Sequence, residues 1–401
     1  MPTLRDNTIR IKRFRDLKAT LRINRDRLLV GIDVALAAHV VHLRQAHTRV
    51  LIPSLTIPNT TRGFAQLWAA IEQAQHATGC REVVIGLEPT GTYHQAIAAF
   101  LESHGADVVF ISNSVAYWNR RTQDGTWDKN DRKDAANCAD LLEQGKAVFY
   151  SQPTGDLAEL RHLVRCLRRA RVELARCKAR WRTTLRPTLA PSAEPLPPRL
   201  CAALPPVLPA WEPAGPGRPA GVKSGLPLGL GTACADLAAQ ITAVQTRIAS
   251  IEAALTPMAE RVPAYALLRT IPGIGPTIAA IVIAEIGDIG WYTQFSQLRK
   301  LAGLDIVRVQ SGQFAGQQRI SKTGRSLLRW ALYQAAMGVA HTAAGRARLM
   351  ALKAKRAGDR YAGFKAMVEL AAKQLRLVWG AWRSGQPYDP LRAKGRRRPR
   401  R

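Results

Sequence analysis

Acidic residues are scarce in this chain. Its 401 residues include 29 Asp and Glu against 59 Lys and Arg, which gives a formal net charge of +30. A compact protein with that surplus repels itself unless a polyanion neutralises it, so nucleic acid is the expected partner. Because 47% of the residues are hydrophobic, the composition argues against global disorder and for two or three domains with real cores.

Long hydrophobic runs are also missing. The longest apolar stretch, near Ile278–Ala284, is far shorter than the roughly 20 residues that a membrane-spanning helix needs. The N-terminal residues are basic and lack the apolar core of a signal peptide. The sequence therefore predicts a cytoplasmic protein with no membrane partner.

Cysteines are few and widely spaced. The six are Cys80, Cys138, Cys166, Cys177, Cys201 and Cys234. No pair forms the CxxC or Cys/His spacing of a zinc site. We expect reduced thiols that are mostly buried as small hydrophobic side chains.

Positive charge is unevenly distributed along the chain. Residues 1–28, 155–186 and 346–401 carry nine, ten and seventeen Lys and Arg, against three Asp and Glu each. Residues 29–150 carry ten against twelve, so one segment of a strongly basic protein is slightly acidic. Such a segment in a nucleic-acid protein predicts a metal site. An ordinary neutral domain with basic tails is the alternative.

Segment 29–150 alternates between strand and helix patterns. Apolar runs predict strands, and helical periodicity predicts the helices between them. The predicted strands are Leu28–Val34, Val40–Leu43, Val50–Ile57, Glu82–Leu87 and Asp107–Ile111, and the predicted helices are Gly63–Ala77, His94–His104 and Asp131–Leu142. Paired strands followed by alternation indicate an α/β domain with a mixed sheet.

Two later segments repeat apolar residues at alternating steps of three and four, the spacing of a coiled coil. They are Leu160, Leu163, Leu167, Ala170, Leu174, Cys177 and Trp181, and then Cys234, Leu237, Ile241, Val244, Ile248, Ile251, Leu255 and Met258. Between them, residues 187–230 hold twelve of the 24 prolines, which predicts an irregular insert. The helices either pair with those of a second subunit or form one antiparallel pair on their own domain.

A helix-hairpin-helix pattern follows in Leu-Leu-Arg-Thr-Ile-Pro-Gly-Ile-Gly-Pro from residue 267. Gly273 and Gly275 let a backbone approach closely, and the amides at the start of the second helix can hold a nucleic-acid phosphate. A plain helical hairpin uses the same turn.

Four carboxylates stand where α/β proteins build active sites. Asp33 and Glu88 each follow a fully apolar strand, which places them at the carboxyl edge of the sheet. Asp131 and Asp134 are three residues apart and share one face of a predicted helix. Together they fit Mg²⁺ chemistry in phosphoryl transfer. Taken singly, Asp131 is also a good helix cap, Asp134 a first-turn acid and Asp33 a turn residue.

These motifs resemble the insertion sequence 110 family of transposases. The matching pieces are Gly-Ile-Asp-Val-Ala at 31–35, Gly-Leu-Glu-Pro-Thr-Gly at 86–91, Lys-Asn-Asp-Arg-Lys-Asp-Ala at 129–135, Ile-Pro-Gly-Ile-Gly at 271–275, Ala-Glu-Ile-Gly-Asp at 284–288, Leu-Ala-Gly-Leu at 301–304, Gln-Ser-Gly at 310–312 and Ile-Ser-Lys-Thr-Gly with Leu-Leu-Arg at 320–329. They cover both blocks of the family in order. The basic N-terminal extension, the Pro-rich insert and the Arg-rich tail depart from the family pattern.

The resemblance implies a RuvC-like (ribonuclease H type) domain whose DEDD metal tetrad falls on Asp33, Glu88, Asp131 and Asp134. It also implies a helical C-terminal domain that supplies a nucleophilic serine, and a structured non-coding guide RNA that pairs with donor and target DNA. The expected activity is RNA-guided cleavage, exchange and religation of a mobile element's DNA.

Two serines are candidates for the nucleophile. A seryl hydroxyl needs a base or metal to activate it and cations to stabilise the phosphorane. Ser311 precedes Gly312 and has Arg308 and Arg319 nearby in the sequence, and it is the better match to the family. Ser321 precedes Lys322 and a helix expected near Thr323, so it also fits a helix-entry residue.

Basic residues concentrate on the first heptad helix and at the C-terminus. Such charge binds phosphates without reading sequence, and a solvated helix face is the alternative. The principal candidates are Arg165, Arg168 and Arg169, then Arg396, Arg397 and Arg398. Trp118 and Trp127 lie among Arg120, Arg121 and Lys129, a setting in which aromatic rings can stack on bases. Core packing is the expected role for at least one of the two.

The sequence thus predicts an α/β plus α protein in five parts. These are a basic extension (1–28), a RuvC-like DEDD domain (29–150), a coiled-coil region (151–262) with its insert (187–230), a helical C-terminal domain (263–385) and an Arg-rich tail (386–401). A dimer or tetramer is expected from the heptads. The rival functions are a metal-dependent nuclease or junction resolvase that uses water, and a non-catalytic nucleic-acid-binding protein.

Overall fold

The computed structural model of the chain describes residues 4–89, 91–123, 130–149, 155–181, 228–307, 310–311, 314–315 and 319–390. The chain divides into two compact units, residues 1–153 and residues 154–401. Each unit has its own hydrophobic core.

The first unit is built on a six-stranded sheet. Its strands are β1 (Arg27–Asp33), β2 (Ala38–Gln45), β3 (Val50–Pro58), β4 (Glu82–Leu87), β5 (Asp107–Ile111) and β6 (Ala147–Phe149). Its helices are α1 (Leu4–Thr20), α2 (Thr61–Thr78), α3 (His94–Ser103), α4 (Asn113–Gln123) and α5 (Asp131–Glu143).

The strand order is β3-β2-β1-β4-β5-β6. Strand β4 runs parallel to both β1 and β5, whereas β2, β3 and β6 are antiparallel to their neighbours. The predicted mixed α/β sheet is therefore confirmed, and it is compatible with the fold that the resemblance implies.

Helices cover both faces of the sheet because β1 is apolar on both sides. Leu28, Val30 and Ile32 belong to the cluster that also holds residues of α2 and α3. Leu29 belongs to the opposite cluster, with residues of α1, α4 and α5. Each fully buried side chain of this kind contributes about 1.5–3 kcal/mol of hydrophobic free energy.

The residues predicted as an N-terminal extension are instead part of the first unit. Helix α1 places Leu17 and Leu21 in the core beside α5, and the Lys18 ammonium donates to the Ala147 carbonyl at 3.0 Å. Steps of three and four residues between Phe14, Leu17 and Leu21 put their side chains on one helix face. The sequence analysis missed this apolar stripe because basic residues surround it in the sequence.

The second unit is mainly helical. Its helices are α6 (Asp156–Arg180), α7 (Leu228–Glu260), α8 (Ala264–Arg269), α9 (Pro276–Ile286), α10 (Phe295–Leu301), α11 (Ser326–Ala340), α12 (Ala343–Ala354) and α13 (Ala362–Ser384), and its short strands are β7 (Ile306–Val307), β8 (Gln310–Ser311), β9 (Phe314–Ala315) and β10 (Arg319–Ile320). No helix in the described parts of the chain is long and apolar enough to cross a membrane.

Helices α6 and α7 pack on each other antiparallel within the chain. Arg261 pairs with Asp156 at one end of α6, and Arg171 pairs with Glu252 further along it. Heptad residues of both helices, among them Leu160, Leu167, Leu255, Cys177 and Ile241, are buried where the helices pack, as in the alternative of one pair packed on its own domain. Association with a second copy stays a prediction. Helix α7 also begins at Leu228, so the last residues of the predicted insert are helical.

Candidate active site

Asp33 and Glu88 lie side by side at the carboxyl edge of the sheet. Strands β1 and β4 are parallel and in register, with Ile32 opposite Leu87. Asp33 ends β1, and Glu88 is the first residue after β4. Both side chains are half-buried, so the edge carries two carboxylates that remain accessible to solvent.

Helix α5 brings a third carboxylate to the same edge because Gly31 lets it pack directly on β1. A Cβ at Gly31 would lie only 2.1 Å from the Ala135 carbonyl oxygen and 2.5 Å from the Ala139 nitrogen. No other residue fits there without moving the helix. This contact fixes the position of Asp134, which precedes Ala135 and is buried.

The buried thiol of Cys138 lies within the electrostatic influence of three of the acids. Burial raises the pKa of this thiol, and the negative charges of Glu88, Asp33 and Asp134 raise it further. Asp33, Glu88 and Asp134 are thus near enough to this sulfur for their charges to act on it. The sequence suggested Cys138 only as a packing residue.

Asp131 lies one turn before Asp134 and is exposed. The helix cap at this end is Asn130, whose side-chain oxygen accepts from the Lys133 amide at 2.9 Å. The reading of Asp131 as the cap is thus wrong, and its carboxylate stays available on the helix's first turn. Among the predicted tetrad, Asp131 is the one acid that is not coupled to Cys138.

Arg120 is a member of this site that sequence reasoning missed. Its Nε lies 2.5 Å from Oδ1 of Asp134, and both side chains are largely buried, Asp134 with 5% exposure. The sequence suggested Arg120 only as a neighbour of Trp118. Arg120 lies on α4, which packs against α5. The Asn119 side-chain amide supports this packing, because it donates to Asn137 and Asp140 of α5 at 2.8 Å. No spacing rule in the sequence signals such a pair.

Carboxylate oxygens are the ligands that Mg²⁺ prefers, and three carboxylates meet at one edge. In their chemistry these side chains suit a divalent cation. Within the described ranges, however, no group of three or more Asp, Glu, His or Cys side chains has the arrangement that holds a metal ion. Arg120 supplies the neighbouring positive charge at Asp134.

Arg120→Gln should destabilise the first unit by about 3–5 kcal/mol, because it removes a cation that contacts the buried Asp134 carboxylate. Urea denaturation followed by circular dichroism measures this loss. Arg120→Gln/Asp134→Asn should recover part of it, since the buried charge is then gone. Arg121→Gln is the matched control, and it should stay within about 1 kcal/mol of wild type, because the contacts of Arg121 with the Tyr117 hydroxyl and with the Tyr117 and Trp118 rings are exposed. Equal stability of Arg120→Gln and wild type would contradict the role given to the pair.

Helix α4 also exposes an aromatic side chain to solvent. Trp118 has 64% of its side chain exposed, and the Arg121 guanidinium lies 5.7 Å from its ring centre. The core-packing alternative is therefore wrong for Trp118. Trp127 lies outside the described residues.

The candidate serines belong to the second unit. Ser311 is on β8, which pairs with β9 so that Ser311 is opposite Phe314. Arg308 and Gly312 lie outside the described residues. Arg319 is exposed on β10, so one of the two cations expected near Ser311 is open to solvent.

Ser321 is not at a helix entry, as the sequence had suggested. Helix α11 begins five residues later, at Ser326. The intervening turn places Lys322 at φ 56° and Gly324 at φ 143°. A Cβ at Gly324 would lie 2.4 Å from the Leu301 carbonyl oxygen. The residues that the sequence suggested as a helix start therefore form a turn that packs tightly against α10.

The predicted helical hairpin forms from α8 and α9. Gly273 has φ 85°, and a Cβ there would lie 2.3 Å from the Ala335 carbonyl oxygen of α11. The close approach that Gly273 permits is thus to the protein's own helix. Gly275 caps α9 and has nothing within 4 Å of the Cβ position. Phosphate binding at this turn stays a prediction.

The predicted basic residues of α6 are on its surface. Arg165, Arg168 and Arg169 are exposed on one side of the helix, where they line neighbouring depressions. Arg396, Arg397 and Arg398 lie outside the described residues. Cys80, Cys138 and Cys177 are buried free thiols, and Cys166 is an exposed one.

Two family models match the chain. Residues 30–189 match the DEDD model for IS110, described as a transposase. Residues 265–350 match the model described as the transposase IS116/IS110/IS902 family. The first match contains all four predicted acids, and the second contains Ser311, Ser321 and the helical hairpin.

A protein of Streptomyces clavuligerus, named insertion element IS116 uncharacterized 44.8 kDa protein, is 26% identical over 155 residues. The aligned segment covers 39% of this chain and 38% of that protein. The similarity therefore spans well under half of either protein.

Proposed function

Because the chain belongs to the IS110 family of transposases, we propose that it cuts, exchanges and rejoins strands of a mobile element's DNA through a covalent phosphoserine intermediate. The placement of Asp33 and Glu88 at neighbouring strand ends, with Asp134 on the helix that packs on β1, carries this proposal. Like charges are gathered there at a cost in stability, and a phosphoryl-transfer site gives them a use.

Each acid has a role set by its position. Asp33 and Glu88, half-buried at the sheet edge, would hold a divalent ion together with Asp131 and Asp134 on α5. Such an ion, when bound, supplies positive charge to the scissile phosphate and its leaving oxygen. Arg120 holds Asp134 in one orientation and limits the net negative charge of the site.

Ser311 is the proposed nucleophile. Its oxygen would form a bond to phosphorus while the bond from phosphorus to the leaving sugar oxygen breaks. The serine proton leaves with a base, and the sugar oxygen takes up a proton. Attack of a sugar hydroxyl on the phosphoserine reverses these steps, so rejoining needs no external energy source.

Guide RNA is the proposed source of sequence specificity. The exposed side chains of Arg165, Arg168 and Arg169 on α6 support binding of a nucleic-acid backbone, and phosphate contacts by themselves do not read bases. Pairing between RNA and DNA would then select donor and target, as the resemblance implies.

The proposal is tested by recombination in cells. A plasmid that carries the element's ends and the flanking DNA encoding the RNA is combined with the expressed chain and a target plasmid. We expect precise junctions, and we expect them to disappear when the RNA-encoding segment is replaced by unrelated DNA. Junctions that persist without that segment would contradict RNA guidance, while their absence under all conditions would contradict the recombinase assignment.

A further inference from the structure

A cluster of arginines in the second unit is not used by the proposed chemistry. Arg161, Arg165, Arg168 and Arg325 line a pocket of about 320 Å³ together with Gly324, Ser326 and Leu327, and Glu285 is the acidic residue in its lining. In the part of the chain that the structure describes, none of these four arginines forms an ion pair with a carboxylate.

The protein's own groups hold the arginines in place. Arg161 Nε donates to the Ala284 carbonyl at 2.9 Å, and Arg325 donates to the carbonyl of Glu285, both at the C-terminus of α9. Burial, with the nearby charge of Arg325, lowers the pKa of Arg161 to about 10. The guanidinium is thus still charged at neutral pH, and its neighbours are like charges that an anion would neutralise.

A second pocket adjoins the first and has a different character. It measures about 420 Å³, shares Arg168, Ser326 and Leu327 with the arginine pocket, and is otherwise mostly apolar. Trp330 stands in its lining with 38% exposure, and the Arg171 guanidinium lies 5.4 Å from the indole ring centre. Arg168, which donates to the Ser326 hydroxyl at 3.2 Å, lies where the two pockets meet.

We propose that these two pockets together bind one unpaired nucleotide of a nucleic-acid strand, with a backbone phosphate among Arg161, Arg165, Arg168 and Arg325 and its base against Trp330. A cationic pocket beside an aromatic and apolar pocket matches the two halves of a nucleotide. The base must be unpaired, because a concave pocket has no room for its partner strand. This inference extends the proposed function, since it takes a nucleic acid as the ligand.

Three substitutions test the two halves separately by fluorescence anisotropy with a labelled thymidine oligonucleotide of about ten residues. Arg165→Ala and Arg168→Ala should each weaken binding about tenfold or more, as expected when a charge-assisted phosphate contact is lost. Each should also lower the slope of log affinity against log salt by about 0.7. Trp330→Leu should weaken binding by about tenfold while leaving that slope unchanged.

Two matched controls separate a built site from general electrostatic attraction. Arg180→Ala removes an exposed charge from the same helix outside both pockets, and it should change affinity less than twofold. A decamer of deoxyribose phosphates without bases should bind wild type more weakly than the thymidine decamer, and Trp330→Leu should erase that preference. Melting temperatures measured alongside identify any variant that has lost its fold. Arg165→Gln and Trp330→Met then take its place, because methionine fills the space of the indole without an aromatic face.

Equal losses for Arg165→Ala and Arg180→Ala would overturn the phosphate site. An unchanged preference for bases in Trp330→Leu would overturn the base site, and tighter binding of a duplex than of the single strand would overturn the requirement for an unpaired base. Repeating the series with uridine RNA assigns the strand to RNA or DNA. Binding of the single strand is measured without recombination, so failure of the catalytic proposal would leave this result intact.

Discussion

Asp33→Asn and Glu88→Gln are each expected to abolish DNA strand cleavage in the folded protein. Both changes keep the side-chain shape and remove one negative charge from the carboxyl edge of the sheet. If the acids contribute several kcal/mol to stabilising the transition state through a divalent ion, the rate should fall by about a thousandfold or more. Cleavage of a labelled DNA substrate in the presence of Mg²⁺ measures it.

The melting temperature of these two variants, unlike their cleavage rate, should not fall. Because Asp33 and Glu88 are like charges at neighbouring strand ends, removing one charge should leave the melting temperature without added divalent ions equal to or above that of wild type. A purely structural role for these acids predicts a lower melting temperature instead. The two readouts therefore separate a functional cluster from a structural one.

Asp26→Asn is the matched control for Asp33→Asn. Asp26 is exposed and directly precedes β1, so the same chemical change is made at the opposite end of the same strand. It should leave cleavage unchanged. Near-wild-type cleavage by Asp33→Asn or Glu88→Gln would remove the metal-site hypothesis, whatever the behaviour of the control.

The placement of Asp33 and Glu88 follows from local sequence. Each stands directly after an apolar run, and such runs form central strands whose carboxyl ends meet at one edge. Helix α5 was also visible, from the spacing of its apolar residues. Gly31 was not recognised as the residue that seats α5 on β1, because a glycine in a strand does not reveal which backbone it admits.

The parts that the sequence did not predict depend on contacts between distant residues. Arg120 reaches Asp134 only because α4 packs on α5, and the sequence analysis did not predict α4. The start of α11 was misplaced because Ser321 and Thr323 are good capping residues, whereas the turn at Gly324 is fixed by its approach to α10. In the same way, the arginine and Trp330 pockets combine α6, α9 and α11 and have no signature along the chain.

Ser311→Ala should eliminate recombination while leaving RNA and DNA binding unchanged. A serine nucleophile stores the energy of the phosphodiester in a bond between protein and DNA, whereas a water-using nuclease releases that energy. Wild type, given Mg²⁺ and a substrate nicked to prevent religation, should accumulate a protein–DNA adduct that survives denaturation. Peptide mapping should place this adduct on residue 311, and Ser311→Ala should form none.

Ser321→Ala is the control that the chain itself provides. Ser321 lies in the turn before α11, where its backbone amide donates to the Asp305 carbonyl at 2.7 Å, and alanine keeps that hydrogen bond. The variant should therefore fold and form the adduct as wild type does. An adduct mapped to Ser321 would transfer the role to that residue and preserve the covalent mechanism. Cleaved ends without any adduct would mean that water attacks the phosphate, and rejoining would then require an energy source that neither serine supplies.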